Sequence, residues 1–416
     1  MTARPVGIEG DAPLTDPGRQ ADRSTRRTAP VEVLRAVAAH GLPGAPSVPP
    51  LPDAGSPWRE LVALAERQRV LGLLVAVAAG GALPADDPRL VELLELHRHW
   101  CAHDLRLEAL LVTAADRLAA DDIDLIVLKG PALAHTHYPH PSLRLFGDLD
   151  LLVRSGQVAT ASAALRDELD ATNALPELRP GFDDRFGKEV LLRTSPTAAA
   201  PDGFEIDLHR TVVAGALGLT IPLDDLFRDT GTLELGGRSL LTLGTVPMLL
   251  AACYQASISD NPPRLAATRD LAQLVSDTPV TVDELIVAAR RWRATAVVSA
   301  AFTRTWGTLD LPPHPLVQQW LATARPSRLE RLLLAAHVAP GYVYWRHLAA
   351  LLVLPGFEAR VRYLSAVVAP QASYLEGRTS SLSAHARRSW RSLSRPWRDP
   401  LVRAGRRIRR RVRPLP

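Results

Sequence analysis

Lysine is nearly missing from this chain of 416 residues: of its 49 basic residues only Lys129 and Lys188 are lysines. Arginine carries positive charge almost everywhere else. That singles out Lys129, at a turn, as a side chain chosen for the shape of its ammonium group. Cysteine is equally scarce. Cys101 and Cys253 have neither a metal-site spacing nor the pattern of a disulfide framework, so a stapled scaffold and a zinc module are excluded and a reduced, cytoplasmic setting is expected. The start, Met1-Thr2-Ala3-Arg4-Pro5, lacks the apolar core of a signal peptide. The longest apolar run, residues 70–83, contains glycines and is too short to cross a bilayer, so no transmembrane segment is expected. Internal repeats are absent too. What remains is ordinary globular composition, 47% hydrophobic and 22% charged, in a chain long enough for two or three domains.

The net charge of +5 hides an asymmetry. Residues 386–416 hold twelve arginines and one aspartate, so the rest of the chain is acidic. Trp390, Trp397, Leu393, Leu401 and Ile408 interleave those arginines. Such a tail suits an anionic membrane surface, nucleic acid or an acidic partner protein.

Five regions follow from composition and periodicity. Residues 1–57 are polar, then proline-rich, and are read as disordered or extended, apart from a short helix at 31–40. Residues 58–120 form an N-terminal helical region, with helices at 58–77 and 88–120. Residues 121–242 are a mixed α/β core. It has strands at 124–128 and 147–153, a helix from an N-cap at Ser155, paired strands at 188–193 and 204–209, and a hairpin turning on Gly236-Gly237. Residues 243–368 read as helical almost throughout. Residues 369–416 are an arginine-rich tail. The histidines fall in two groups, His97, His99 and His103 on the second helix and His135, His137 and His140 before the second strand; packing or solvated roles are expected for both. Asp270 is expected to make a surface salt bridge.

The stretch from Leu128 to Val153, LKGPALAHTHYPHPSLRLFGDLDLLV, carries the chemistry. Its end reads as a strand, in which residues i and i+2 share a face. Asp148 and Asp150 therefore converge, with Leu149 and Leu151 on the opposite side. Two adjacent carboxylates repel, and burying them is costly unless a cation compensates. Mg2+ takes one or two carboxylates plus substrate phosphates. At the front of the stretch a strand runs through Lys129-Gly130-Pro131 into a helix. Glycine permits close backbone approach, and proline suits the first helical position. A strand, a glycine turn and a helix N-terminus make a phosphate seat, to which Lys129 adds a point charge. Downstream, Phe204-Glu205-Ile206-Asp207-Leu208-His209 alternates with period two and puts Glu205, Asp207 and His209 on one face. An Asp-x-Asp strand and a later strand with one more aspartate is the layout for two metal ions that clamp attacking and leaving oxygens.

These motifs together resemble the uncharacterised nucleotidyltransferase family of bacterial chains related to the DNA polymerase β superfamily. The resemblance spans roughly residues 95–290 and is strongest from Leu128 to Val153. It implies Asp148 and Asp150 as paired metal ligands, Asp207 as the third carboxylate, and Lys129 with Gly130 as the nucleotide-phosphate loop. The chain departs from the superfamily in having Gly130-Pro131 where Gly-Ser is usual, a long spacer before Asp148, and Gln255 where family members often carry histidine. The family resembles accessory proteins of peptide-natural-product and polysaccharide pathways, which implies a small molecule, peptide or sugar as acceptor.

The expected fold is α+β: a small mixed β-sheet nucleotidyltransferase core flanked by N-terminal and C-terminal helical regions. The expected activity is Mg2+-dependent transfer of a nucleotidyl group from an NTP to an acceptor. Asp148, Asp150 and Asp207 serve as catalytic and metal-binding residues, and Lys129, Gly130 and Arg144 as nucleotide-binding ones. Two other readings stay open: a non-catalytic scaffold that binds a peptide, RNA or partner enzyme, and a metal-dependent hydrolase using the same carboxylates.

Overall fold

The computed structural model describes residues 29–198, 200–259, 262–339 and 343–375. The arginine-rich stretch at 386–416 and the polar residues 1–28 lie outside the described residues. The fold is α+β, as the sequence predicts. Seven strands form one mixed sheet: β1 (Ile126–Val127), β2 (Leu149–Leu152), β3 (Ala171–Asn173), β4 (Glu189–Thr194), β5 (Glu205–His209), β6 (Thr230–Leu235) and β7 (Arg238–Leu243). Their order is β3-β4-β5-β2-β1-β7-β6. The central strand β2 runs parallel to β5 and antiparallel to β1, and β1 runs parallel to β7. The expected pairing of residues 188–193 with 204–209 is present as β4–β5, and the Gly236-Gly237 hairpin as β6–β7.

The alternation of β2 and β5 fixes which side of the sheet faces which core. Leu149 and Leu151 stand beside Ile206 and Leu208, and all four are buried with Leu107, Leu111, Leu118, Val158 and Leu165 of the helices Pro88–Ala119 and Val158–Glu168. On the other face Asp150 lies directly opposite Asp207, and Leu152 opposite His209. A slip of one residue would drive Asp150 into the leucine layer, so the apolar face sets the register of the acids. This second face is partly covered by the C-terminal helices, whose core includes Leu152, Leu243, Leu249, Leu250 and Phe302. A third apolar cluster joins the N-terminal helices Pro30–Ala39, Ser56–Arg67 and Leu71–Val77 to Leu265, Ala266 and Ala272 of the helix Leu265–Asp277.

Several local expectations are corrected. The helix read at 58–77 is two helices, broken at Arg69, whose φ is 56°. Ser155 does not cap the helix Val158–Glu168; its hydroxyl donates to the Asp184 carbonyl at 2.6 Å. The edge strand β3 was not foreseen: its three residues are too few to show a period. Among the described residues no helix is long and apolar enough to cross a membrane. Both cysteines are free.

Candidate active site

The site is built where β1 ends. Lys129 and Gly130 both have positive φ, 36° and 28°. Gly130 adopts ψ −110°, a combination closed to side-chain-bearing residues, so the backbone rather than the space beside Phe146 demands glycine here. A non-glycine residue such as Lys129 at positive φ costs on the order of 1–3 kcal/mol and persists only where its surroundings hold it. What holds Lys129 is an ion pair of 2.5 Å from its Nζ to Asp150 Oδ1, while the Leu128 N–H donates to the Asp150 carbonyl at 2.9 Å. The glycine turn therefore aims the rare lysine at the second aspartate of Gly147-Asp148-Leu149-Asp150.

Asp150 is buried and shares that oxygen with a second partner. His209 Nε2 donates to Asp150 Oδ1 at 2.8 Å, and His209 Nδ1 lies 3.3 Å from the Thr211 carbonyl. Burial would push the Asp150 carboxyl up, but Lys129 first and His209 second hold it well below the usual carboxylate range. Burial likewise opposes charge on Lys129, and Asp150, Asp148 and Asp207 together outweigh it and raise its pKa. His209 goes the other way, lowered by burial and by Lys188.

Asp148 and Asp207 stand differently. Among the described residues neither carboxylate has a hydrogen-bond or ion-pair partner, although both are half-buried. Burial, with Glu189 and Asp150 nearby, pushes Asp207 up to about 7. Ligand atoms of Asp150, Asp207 and His209 lie within 4.8 Å of one another. Asp207, a carboxylate with no ion-pair partner among the described residues beside Asp150, offers oxygen donors that fit a divalent cation. With His209 Nε2 engaged by Asp150, the open donors are oxygens, which suits a hard ion. Sequence reasoning put His209 on the right face and gave it no role. Glu205, on the same face, instead pairs with Arg193.

The cleft beside the acids is lined by Arg69, Lys129, Gly130, Arg144, Asp148, Asp150, Gln255, Arg264 and Asp270. Arg144 reaches it but is committed elsewhere: its Nε and Nη2 bond both carboxylate oxygens of Asp270, at 2.8 and 2.9 Å. Asp270 is buried and also accepts from the Tyr138 hydroxyl at 2.7 Å, so the surface salt bridge expected for it is a buried one. The loop histidines are bound away from the cleft: His135 to Glu108 at 2.6 Å, His137 to Asp277 at 2.7 Å and His140 to Ser142 at 2.7 Å. His103 packs against the rings of Trp100 and Phe204.

Behind the site, Asp104 of the helix Pro88–Ala119 accepts from the Phe146 N–H, 3.3 Å from each oxygen. Burial, aided by Glu108, pushes its carboxyl up to about 8. An unfolded aspartate titrates near 3.9. The folded protein thus holds this proton where the unfolded chain has lost it, and this group's contribution to stability falls as pH rises from about 4 to about 8. Asp104→Asn keeps an acceptor for Phe146 without the titration. Its stability relative to the parent, from urea unfolding, is expected to improve between pH 6 and pH 9; parallel profiles would show that Asp104 is not protonated in the folded state.

The model of the uncharacterised nucleotidyltransferase family matches residues 54–305, which extends the resemblance to the N-terminal helices. A crystal structure of an antigenic nucleotidyltransferase-like protein from Paracoccidioides brasiliensis is similar at 13% identity and a TM-score of 0.28, over 46% of this chain and 93% of that one. A search of curated proteins finds no match. With well over half of its length matched, the chain belongs to the uncharacterised nucleotidyltransferase family.

Proposed function

We propose that this protein transfers a nucleotidyl group from an NTP to an acceptor hydroxyl or phosphate and releases pyrophosphate. The observation that carries this reading is Asp207, a carboxylate with no partner among the described residues, grouped with His209 and with an Asp150 that Lys129 and His209 keep ionised. Asp148, Asp150 and Asp207 would hold Mg2+, which when bound supplies charge for the phosphate oxygens and lowers the pKa of an attacking hydroxyl. His209 fixes the orientation of Asp150. The Lys129-Gly130 kink presents backbone and ammonium to the triphosphate. In the reaction the acceptor oxygen bonds to the α-phosphorus. The bond from that phosphorus to the bridging oxygen of the β-phosphate breaks, its electron pair leaves with pyrophosphate, and the acceptor proton passes to solvent. A scaffold would have no use for Asp207 set against Asp150, or for Asp148 lining the cleft beside Asp150 with no bond to a described residue. For the acceptor we propose a small molecule, peptide or sugar, and for the arginine-rich stretch at 386–416 a contact with an anionic membrane, nucleic acid or partner protein.

The test is pyrophosphate release from each of the four NTPs with Mg2+, repeated with two variants of one strand. Asp207→Ala should lower turnover by about 10²-fold or more, the scale of lost electrostatic stabilisation. Glu205→Ala, whose carboxylate already pairs with Arg193, should stay within about threefold of the parent. Equal small effects would remove β5 from the catalytic cleft.

A further inference from the structure

The two cations that the sequence offers to a triphosphate, Lys129 and Arg144, are each engaged by an acid, Asp150 and Asp270. A third lines the same cleft, and its guanidinium bonds to no described residue. Arg69 comes from the N-terminal helices, in the break between Ser56–Arg67 and Leu71–Val77. Its backbone sits in the left-handed region at φ 56°, which a side-chain-bearing residue rarely adopts. The surroundings hold it there. Gln68, Arg69 and Val70 donate backbone hydrogen bonds to Leu64, Glu66 and Ala65 at 2.8, 2.9 and 2.9 Å. Gln68 in turn receives the first N–H groups of the helix Leu265–Asp277: Leu265 to its side-chain oxygen at 2.8 Å and Ala266 to its carbonyl at 3.1 Å. The kink is thus fastened to the opposite wall of the cleft, and strain held in this way is characteristic of functional positions.

The side chain this kink projects lies against Gly147, the residue before Asp148. A Cβ at Gly147 would collide with the Arg69 guanidinium, so the glycine of Gly147-Asp148-Leu149-Asp150 leaves room for an arginine just ahead of β2. Arg69 is half-buried, yet among the described residues its guanidinium makes no hydrogen bond and no ion pair. Burial pushes its pKa down and Asp148 pulls it back up. A planar fork of N–H donors facing a cleft, near acids suited to a divalent ion, matches the non-bridging oxygens of a polyphosphate.

We propose that Arg69 binds the triphosphate of the donor nucleotide, gripping the two phosphates that leave as pyrophosphate. The proposal rests on the nucleotidyl-transfer reading and adds to it a part supplied by the N-terminal helices.

The experiment uses the full chain, Arg69→Met and Arg69→Lys. Calorimetry with inorganic tripolyphosphate and with NTP, both in Mg2+, is read beside pyrophosphate release and Tm. Arg69→Met keeps the aliphatic stem and loses the fork; it should weaken binding of both ligands by about 10-fold to 100-fold, as expected for lost charge-assisted hydrogen bonds. Arg69→Lys should recover part of that affinity. Tripolyphosphate bound equally by parent and Arg69→Met would overturn the assignment, and so would a Met variant that loses Tm with affinity unchanged, since Arg69 would then be only a counter-ion of Asp148. The outcomes separate this proposal from the reading beneath it. Arg69-dependent tripolyphosphate binding without pyrophosphate release from any NTP keeps the anion site and removes nucleotidyl transfer. Transfer that is indifferent to Arg69 does the reverse.

Discussion

Asp148→Asn is expected to lower nucleotidyl transfer by about 10²-fold or more while leaving the unfolding midpoint within a degree or two of the parent. The asymmetry follows from the surroundings of the side chain. Asp148 is half-buried and bonds to no described residue, so the amide costs the fold no hydrogen bond and no ion pair. What the amide removes is the charge that would hold a hard cation against phosphate oxygens. Asp150→Asn is a harsher change, because Lys129 and His209 both bond to Asp150 Oδ1. Lys129 would keep only the fields of Asp148 and Asp207, so some loss of stability is expected with the loss of turnover. The double variant should be scarcely less active than the worse single one, since residues that act as one unit do not contribute additively. Pyrophosphate release measured beside circular dichroism separates the two effects. A folded Asp148→Asn protein with parental turnover would remove Asp148 from the metal site.

The parts of this site that could be read in sequence are those set by short-range rules. The period of two in β2 and β5 put Asp148, Asp150 and Asp207 on defined faces, and Gly130 after a strand marked the turn; the structure places Asp150 directly opposite Asp207. The parts that could not be read depend on contacts between distant segments. His209 was on the correct face, but its bond to Asp150 needs the parallel pairing of strands 59 residues apart. Arg69 lay inside an apparently continuous amphipathic run, since one left-handed residue leaves apolar spacing almost intact; the break is secured by Gln68 against Leu265, 197 residues on. Arg144 precedes the acidic strand, a position that suits contact with phosphate and a structural role alike. Its bidentate partner is on a helix 126 residues later, where Asp270 looked like one end of a surface pair.

That buried pair yields the largest expected effect on stability. Arg144 and Asp270 are both largely buried, and their two hydrogen bonds fasten the segment leading into Asp148 to the helix Leu265–Asp277. Burial opposes charge on Arg144, and Asp270 outweighs it and raises its pKa further. Asp270 also accepts from the Tyr138 hydroxyl, whose ring lies 5.5 Å from the Arg269 guanidinium. Arg144→Met leaves Asp270 buried with a single neutral donor. Breaking a buried pair in this way costs about 3–5 kcal/mol, far more than the pair itself contributes relative to an uncharged replacement. Arg144→Met with Asp270→Asn removes the stranded charge and keeps an acceptor for Tyr138, so it should regain at least half of the loss. Urea unfolding of the parent, both single variants and the double variant closes the cycle. A double variant as unstable as Arg144→Met would mean that the stranded charge is not what destabilises the single variant. An Arg144→Met protein as stable as the parent would mean that solvent reaches Asp270. In that case the anchoring of the Asp148 segment would have to come from the Phe146 N–H bond to Asp104 instead.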